Sequence, residues 1–373
     1  MRLGKCKIFG TTSLIAMIVV SSIALLILPS IALSSFASNS NTLSTLPSKM
    51  LVSSPPTGSS GPDDITILAV KGVDGGKALI WTAFQNGIDA NGTAGTPGGP
   101  TQSTIAGYDQ STGALVMTIP VTGKVDGLTA NLGTNTLIAT DNEDQYSKFN
   151  IIYPASGAVA TYTYSPDPAV AGNGGTDSIA VNNGNIYVVH SNPSDVTQPA
   201  EYLVSLKSSN LTAHLTPVFF DNSLATDAVT GARVHLALTD PDTNFVMPSK
   251  GNRFAGNLTT ISQADGQIIF AKGFVHPSLK VLNVADNIPG NVPPLDGIAV
   301  ATSGRGTLYV VDAKAGTIQA LNTTGLAAGT VFVGEPKDNG NPLVGTLDLT
   351  TGKITPFGNS FQSPKGLLFV PSP

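Results

Sequence analysis

The sequence predicts an all-β fold on three observations. Glycine (40) and proline (26) interrupt the 373-residue chain so often that few windows remain for a long helix. Short apolar runs, alternating or β-branched, recur between turns of Gly, Asn, Asp and Pro. One phrase, an acid, a small residue and an apolar strand, returns at a spacing near fifty residues. A four-stranded unit of that length cannot cover both of its own faces, so copies pack around an axis as the blades of a β-propeller.

Composition narrows the function classes. Charged residues make up 12% of the chain, about half the usual fraction of roughly 25%. That excludes a coiled coil or a highly charged disordered chain, and a net charge of −5 offers no basic footprint for nucleic acid.

Residues 1–37 read as an export signal. Basic Met1-Arg2-Leu3-Gly4-Lys5-Cys6-Lys7 precedes an apolar run from Leu14 to Leu33, and Ser35-Phe36-Ala37 places small residues for cleavage after Ala37. The alternative is an uncleaved anchor, which would be the chain's only link to a membrane. Cys6 is the single cysteine, so the mature chain has no disulfide. Residues 38–62, rich in Ser, Thr, Pro and Gly, read as a disordered spacer. Residues 63–373 are the propeller domain.

The first phrase appears as Asp126-Gly127-Leu128-Thr129-Ala130 with a second strand at Asn135-Thr136-Leu137-Ile138-Ala139-Thr140. It returns as Asp177-Ser178-Ile179-Ala180-Val181 with Asn185-Ile186-Tyr187-Val188-Val189. The clearest copy is Asp296-Gly297-Ile298-Ala299-Val300 with Gly306-Thr307-Leu308-Tyr309-Val310-Val311-Asp312. A degenerate copy without the acid runs Ala255-Gly256-Asn257-Leu258, then Gly266-Gln267-Ile268-Ile269-Phe270. Between copies lies a strand, a turn ending in Gly and a further strand, as at Tyr108-Asp109 with Ser111-Thr112-Gly113, or Leu347-Asp348 with Thr350-Thr351-Gly352. The chain ends in a lone first phrase, Pro364-Lys365-Gly366-Leu367-Leu368-Phe369-Val370, and the strands near Ile65–Val70 and Ala78–Phe84 lack one. The C-terminal strand is therefore expected to complete the N-terminal blade and close the ring. The length predicts six blades, with five or seven left open by insertions at Asp221–Lys250 and Ala320–Asn341.

The recurring Asp-Gly-Ile-Ala-Val with Gly-Thr-Leu-Tyr-Val-Val-Asp resembles the blades of NHL-repeat and regucalcin/gluconolactonase-like propellers. With one Trp and no Gly-His…Trp-Asp phrase, the chain is not of the WD type. The resemblance implies a calcium ion at one mouth, held by a glutamate, an asparagine and an aspartate of an Asp-Gly phrase. Asp126, Asp177 and Asp296 start first phrases and are the candidate metal ligands. The chain departs from that pattern in lacking the first-strand glutamate and in carrying Lys365 at the matching position. The bland reading is that these aspartates cap turns.

Other candidates are weaker. Asp141-Asn142-Glu143-Asp144 lacks the spacing of a calcium loop and reads as solvated, as does the shorter Asp240-Pro241-Asp242. His190, His214, His235 and His276 share no ligand spacing. Nucleophile-elbow and phosphate-binding motifs are missing, so no catalytic residue or organic cofactor site is assigned. The Gly-rich Asn86–Pro100 stretch and the Asp221–Lys250 insertion are long loops of the kind that carry binding specificity. The reading is a secreted or cell-surface binding or scaffold module that takes an extracellular protein or glycan. The alternative is a calcium-dependent lactonase-like hydrolase with its metal at the mouth.

Overall fold

The computed structural model describes residues 49–168, 174–286, 288, 290–336, 342–357 and 361–372. The expected export signal lies outside the described residues. What is described is almost entirely β-structure, with one three-residue 3-10 turn at Asp74–Gly76.

Its strands, in chain order, are β1 (Lys49–Val52), β2 (Pro62–Ala69), β3 (Ala78–Phe84), β4 (Gln102–Asp109) and β5 (Leu115–Thr122). Next come β6 (Val125–Asn131), β7 (Thr136–Asp141), β8 (Lys148–Tyr153), β9 (Ala158–Ser165), β10 (Gly175–Asn182), β11 (Asn185–Ser191), β12 (Pro199–Lys207) and β13 (Thr212–Phe220). Then follow β14 (Leu224–Asp227), β15 (Arg233–His235), β16 (Pro241–Val246), β17 (Leu258–Ser262), β18 (Gln267–Lys272) and β19 (Ser278–Asn283). The last are β20 (Gly297–Val300), β21 (Arg305–Asp312), β22 (Thr317–Thr324), β23 (Val331–Glu335), β24 (Leu343–Leu347), β25 (Ile354–Pro356) and β26 (Pro364–Pro371).

Antiparallel ladders group these strands into four-stranded blades. From the axis outward they are β2-β3-β4-β5, β6-β7-β8-β9, β10-β11-β12-β13, β16-β17-β18-β19, β20-β23-β24-β25 and β26-β21-β22-β1. The fold is a β-propeller. A short parallel ladder, Thr212↔Thr163 to His214↔Ser165, joins the second and third blades into one eight-stranded sheet. Hairpin β14–β15 adds to the outer edge of the fourth blade through β19.

Alternation along the middle strands explains the packing. In β7, Leu137 and Ala139 face the first blade while Ile138 faces the third. In β18, Ile268 and Phe270 face the fifth blade, and Ile269 and Ala271 face the third. A strand covered on both faces has no solvent side, so β7, β17 and β23 are buried throughout. The outer strands β5 and β9 keep the exposed–buried alternation of an edge. Apolar clusters lie between every neighbouring pair of blades, including the pair that joins the last blade to the first through Leu51, Val52, Tyr309, Ile65 and Phe84.

The structure corrects the sequence reading in three places. First, β20 and β21 are not hairpin partners. β20 pairs with β23, and the β21–β22 hairpin crosses into the next blade to pair with β26. Second, the C-terminal strand does close the ring, but beside β21 rather than by completing the first blade, which is whole without it. Third, residues 49–52 of the expected spacer form the outermost strand of the closing blade, because Leu51 and Val52 are apolar enough to be buried there. Likewise the Asp221–Lys250 insertion holds hairpin β14–β15 and the axial strand β16, while the degenerate phrase at Ala255–Leu258 leads into β17, one strand further out.

Candidate functional site

Each axial strand starts at the same mouth, and the residue at its start points into a common ring. The ring residues are Asp63, Asp126, Asp177, Asp242, Asp296 and Lys365. The three predicted aspartates, Asp126, Asp177 and Asp296, are therefore brought together. Asp63 and Asp242 complete the set unpredicted, and Lys365 takes the sixth place. Pro precedes the ring residue at Pro62, Pro241 and Pro364, a signal that marks three strand starts without an Asp-Gly pair, the unpredicted Asp63 and Asp242 among them.

Glycine follows the ring residue wherever axial strands crowd. A Cβ on Gly297 would lie 1.8 Å from the Lys365 carbonyl oxygen, and one on Gly127 would lie 2.6 Å from that of Asp177. Gly297→Ala is expected to destabilise the protein by about 3 kcal/mol, the upper range for overpacking against backbone. The check is the midpoint of urea unfolding. The open inner edges of these strands are satisfied by neighbouring side chains: Leu128 N donates to Asp64 Oδ2 (2.8 Å) and Ala130 N to Thr66 Oγ1 (3.2 Å).

The ring is cross-tied by cations and amides. Lys365 Nζ lies 3.0 Å from Asp296 Oδ2 and 3.5 Å from Asp63 Oδ1. Lys124, in the turn before β6, places Nζ 2.8 Å from Asp126 Oδ1 and pairs also with Glu143. Gln85 donates to Asp63 and, at 3.2 Å, to Asp126 Oδ1. Glu143 N donates to Asp126 Oδ2 (3.1 Å), and Gln263 Nε2 to Asp296 Oδ2 (3.3 Å). Asp177 lies in the ring beside Asp242 and Glu143.

Protonation follows from burial against these partners. Burial pushes Asp63 up to about 6 despite Lys365, and holds Asp126, Asp177 and Asp242 well above the usual carboxylate range. For Asp177 burial comes first and the neighbouring Asp242, Glu143 and Asp126 charges add to it, as for close carboxyls that resist ionising together. Burial opposes ionisation of Glu143 too, but the Lys124 ammonium outweighs it and lowers Glu143. Burial disfavours the charged form of Lys365, yet Asp296 and Asp63 raise its pKa well above the ordinary value. The space left inside the ring is about 20 Å³, room for a single water.

This donor set does not fit the calcium ion that the sequence resemblance implies. Calcium wants six to eight oxygens turned to one point. Here Asp126 is turned to Lys124, Asp177 to Asp242 and Asp296 to Lys365. Among the described residues no group of three or more His, Cys, Asp or Glu is arranged to hold a metal. The expected ligands thus share a ring without forming a ligand set.

The remaining candidates separate. The Asp141–Asp144 run is not a solvated loop. Asp141 is buried, accepts from Lys148 N (3.0 Å) and Asn150 Nδ2 (2.8 Å), and is pushed up to about 7 by burial. Asn142 accepts from Lys124 N (3.0 Å) while Glu143 joins the ring. Among the histidines, His190 is fully buried against Tyr202, with Nδ1 3.0 Å from the Pro199 carbonyl. His214, His235 and His276 are exposed. The Gly-rich stretch at Asn86–Pro100 connects β3 to β4 at the ring's own mouth, where Asp144 N donates to Ala90 O (3.1 Å).

No protein-family model matches the chain, and no curated protein matches its sequence. Among solved structures it is similar to a periplasmic gluconolactonase of Pseudomonas aeruginosa, at 12% identity and a TM-score of 0.47, over 83% of this chain and 88% of that one. It is also similar to a protein from Lactobacillus plantarum, at 12% identity and a TM-score of 0.43, over 84% and 89% of the two chains. A streptogramin B lyase matches at 14% identity and a TM-score of 0.39, over 86% and 81%.

Proposed function

We propose that the protein is a non-catalytic propeller, exported to or beyond the cell surface, that binds an extracellular protein or glycan. One observation carries this reading: the sixth ring position is a lysine whose ammonium lies on Asp296 and Asp63, so the mouth is tied shut by its own charges. A hydrolase of the lactonase type needs an accessible cation and space for a carbonyl beside it. This mouth offers about 20 Å³. The ring serves the scaffold, and the outer parts of the loops around it, 87–101 among them, form the recognition surface. The export signal read at residues 1–37 supports the location.

The test is calorimetric titration of the purified chain with calcium, beside an assay of aldonolactone hydrolysis. The expected result is no stoichiometric calcium binding and no turnover above the uncatalysed rate. Turnover that disappears in Asp126→Asn would overturn the reading.

A further inference from the structure

We propose that the cleft between the second and third blades is a binding site for a neutral saccharide chain. It deepens the reading of the chain as a binding module and does not involve the mouth. The cleft opens at the opposite ends of the axial strands from the ring, where β6 ends and the β10–β11 turn lies, and has a volume of about 590 Å³. That falls in the ordinary range for ligand pockets, roughly 300–1,000 Å³.

Its chemistry selects the ligand class. None of the lining residues is Asp, Glu, Lys, Arg or His. A phosphate or sulfate would find no counter-charge there, and a charged peptide would lose hydration without recovering it. What the walls do supply is uncharged hydrogen bonding from Asn131, Asn185, Thr134 and Ser205, beside the rings of Tyr153 and Tyr162 and the aliphatic floor of Ile151 and Leu203. A sugar ring has this same split, an apolar C–H face that stacks on an aromatic and a rim of hydroxyls that both donate and accept. Asn131 Oδ1 already accepts from Gly133 N (3.1 Å), which leaves its amide as a donor. The hydroxyls of Thr134 and Thr136 are 2.8 Å apart, so one donates to the other and the second keeps its proton for a ligand.

The site is rigid before any ligand arrives. Tyr162 is held edge-on by Phe149, with centroids 6.3 Å apart and planes at 82°. The parallel ladder of Thr163–Ser165 against Thr212–His214 ties the two blades to one another. Tyr153 is 43% exposed and Leu206 38%, a solvent-facing apolar rim on a surface otherwise rich in Asn, Ser and Thr.

The experiment is isothermal titration of the full chain with three uncharged probes, cellotetraose, maltotetraose and chitotetraose, at millimolar concentrations. At least one is expected to bind saturably. Tyr153→Ala, at a half-exposed position whose loss leaves the fold intact, is expected to weaken it about tenfold or more, equivalent to about 1.4 kcal/mol. Asn185→Asp should weaken it as well by adding a charge that the ligand cannot meet. Val292→Ser, half-exposed in the segment between β19 and β20 at the ring's end of the molecule, should leave it unchanged. Absence of saturable binding to all three probes overturns the proposal, and so does binding that Tyr153→Ala leaves intact. Lactone turnover at the mouth would remove the non-catalytic reading without touching this result, so the two fail separately.

Discussion

Replacing Lys365 by methionine is expected to cost roughly 3 kcal/mol of stability at pH 7.5. The unbranched stem is kept as far as Cε, and the substitution removes the ammonium that faces Asp296 at 3.0 Å and Asp63 at 3.5 Å. Removing the half-buried ammonium leaves two buried carboxylates, Asp63 and Asp296, without a counter-charge, which places the cost near the lower end of the roughly 3–5 kcal/mol of breaking a buried pair from one side. Two companion measurements separate this from a simple packing defect. At pH 5 the deficit should shrink, because Asp63, already held at about 6, takes up a proton once the ammonium is gone. The double variant Lys365→Met, Asp296→Asn should recover part of the loss at pH 7.5, and a double-mutant cycle in urea would measure how much. An equal deficit at both pH values would show that the ring is held by packing alone.

The second large effect is on the pH profile. The protein is expected to be most stable in mild acid and to lose stability steadily from about pH 5 to pH 8. Among the described residues ten acids are buried, while no lysine or arginine falls in that class. Glu201 is fully buried and is pushed up to about 8 by burial, although Thr260 and Asn244 donate to it. Asp221 is fully buried with neither carboxyl oxygen hydrogen-bonded, and is also pushed up to about 8 by burial, with Asp195 and Asp265 adding to the shift. In the unfolded chain both groups ionise near pH 4. Between those limits the folded state holds two protons that the unfolded state has released, so stability falls as pH rises. Two such groups give a slope of about 2–3 kcal/mol per pH unit within that window; the stabilisation itself is present in full below pH 4 and lost once pH passes 8. Urea midpoints at pH 5, 6, 7 and 8 check it. Glu201→Gln with Asp221→Asn should flatten the profile, and a profile that rises with pH would contradict the assignment.

The propeller was legible because its middle strands are apolar on both faces and its turns repeat. A run such as Leu137-Ile138-Ala139 must be covered from two sides, and only a closed ring of sheets does that for every copy. The ring acids were legible where a small residue and an apolar run follow, as at Asp126, Asp177 and Asp296. Asp242 was hidden because β16 reads Pro-Asp-Thr-Asn-Phe-Val. Its Asn244 is buried by hydrogen bonding to Glu201 (2.6 Å), so the strand lacks the apolar signature of its siblings. Asp63 was hidden by the polar segment in front of it. The exchange of β21–β22 into the next blade leaves no local mark, since consecutive apolar strands usually pair with each other. That they do not here is decided by what β26 and β1 need to cover them. The ring's closure against a metal was signalled by Lys365 in the sequence, but Lys124, Gln85 and Glu143 come from turns whose convergence only the fold creates.

The closing blade draws its strands from three distant stretches of chain: β1 near the beginning, β21–β22 late, and β26 at the very end. Its long-range pairings make it the slowest sheet to assemble. During synthesis the earlier blades have their strands in hand well before this one does, and the first blade keeps its Leu51-facing side uncovered until the closing blade forms. The finished ring thus hangs on one strand with two faces: without β26, Leu367 and Phe369 leave one interblade cluster, Leu368 and Val370 leave the other, and both flanks of the closing blade stand open.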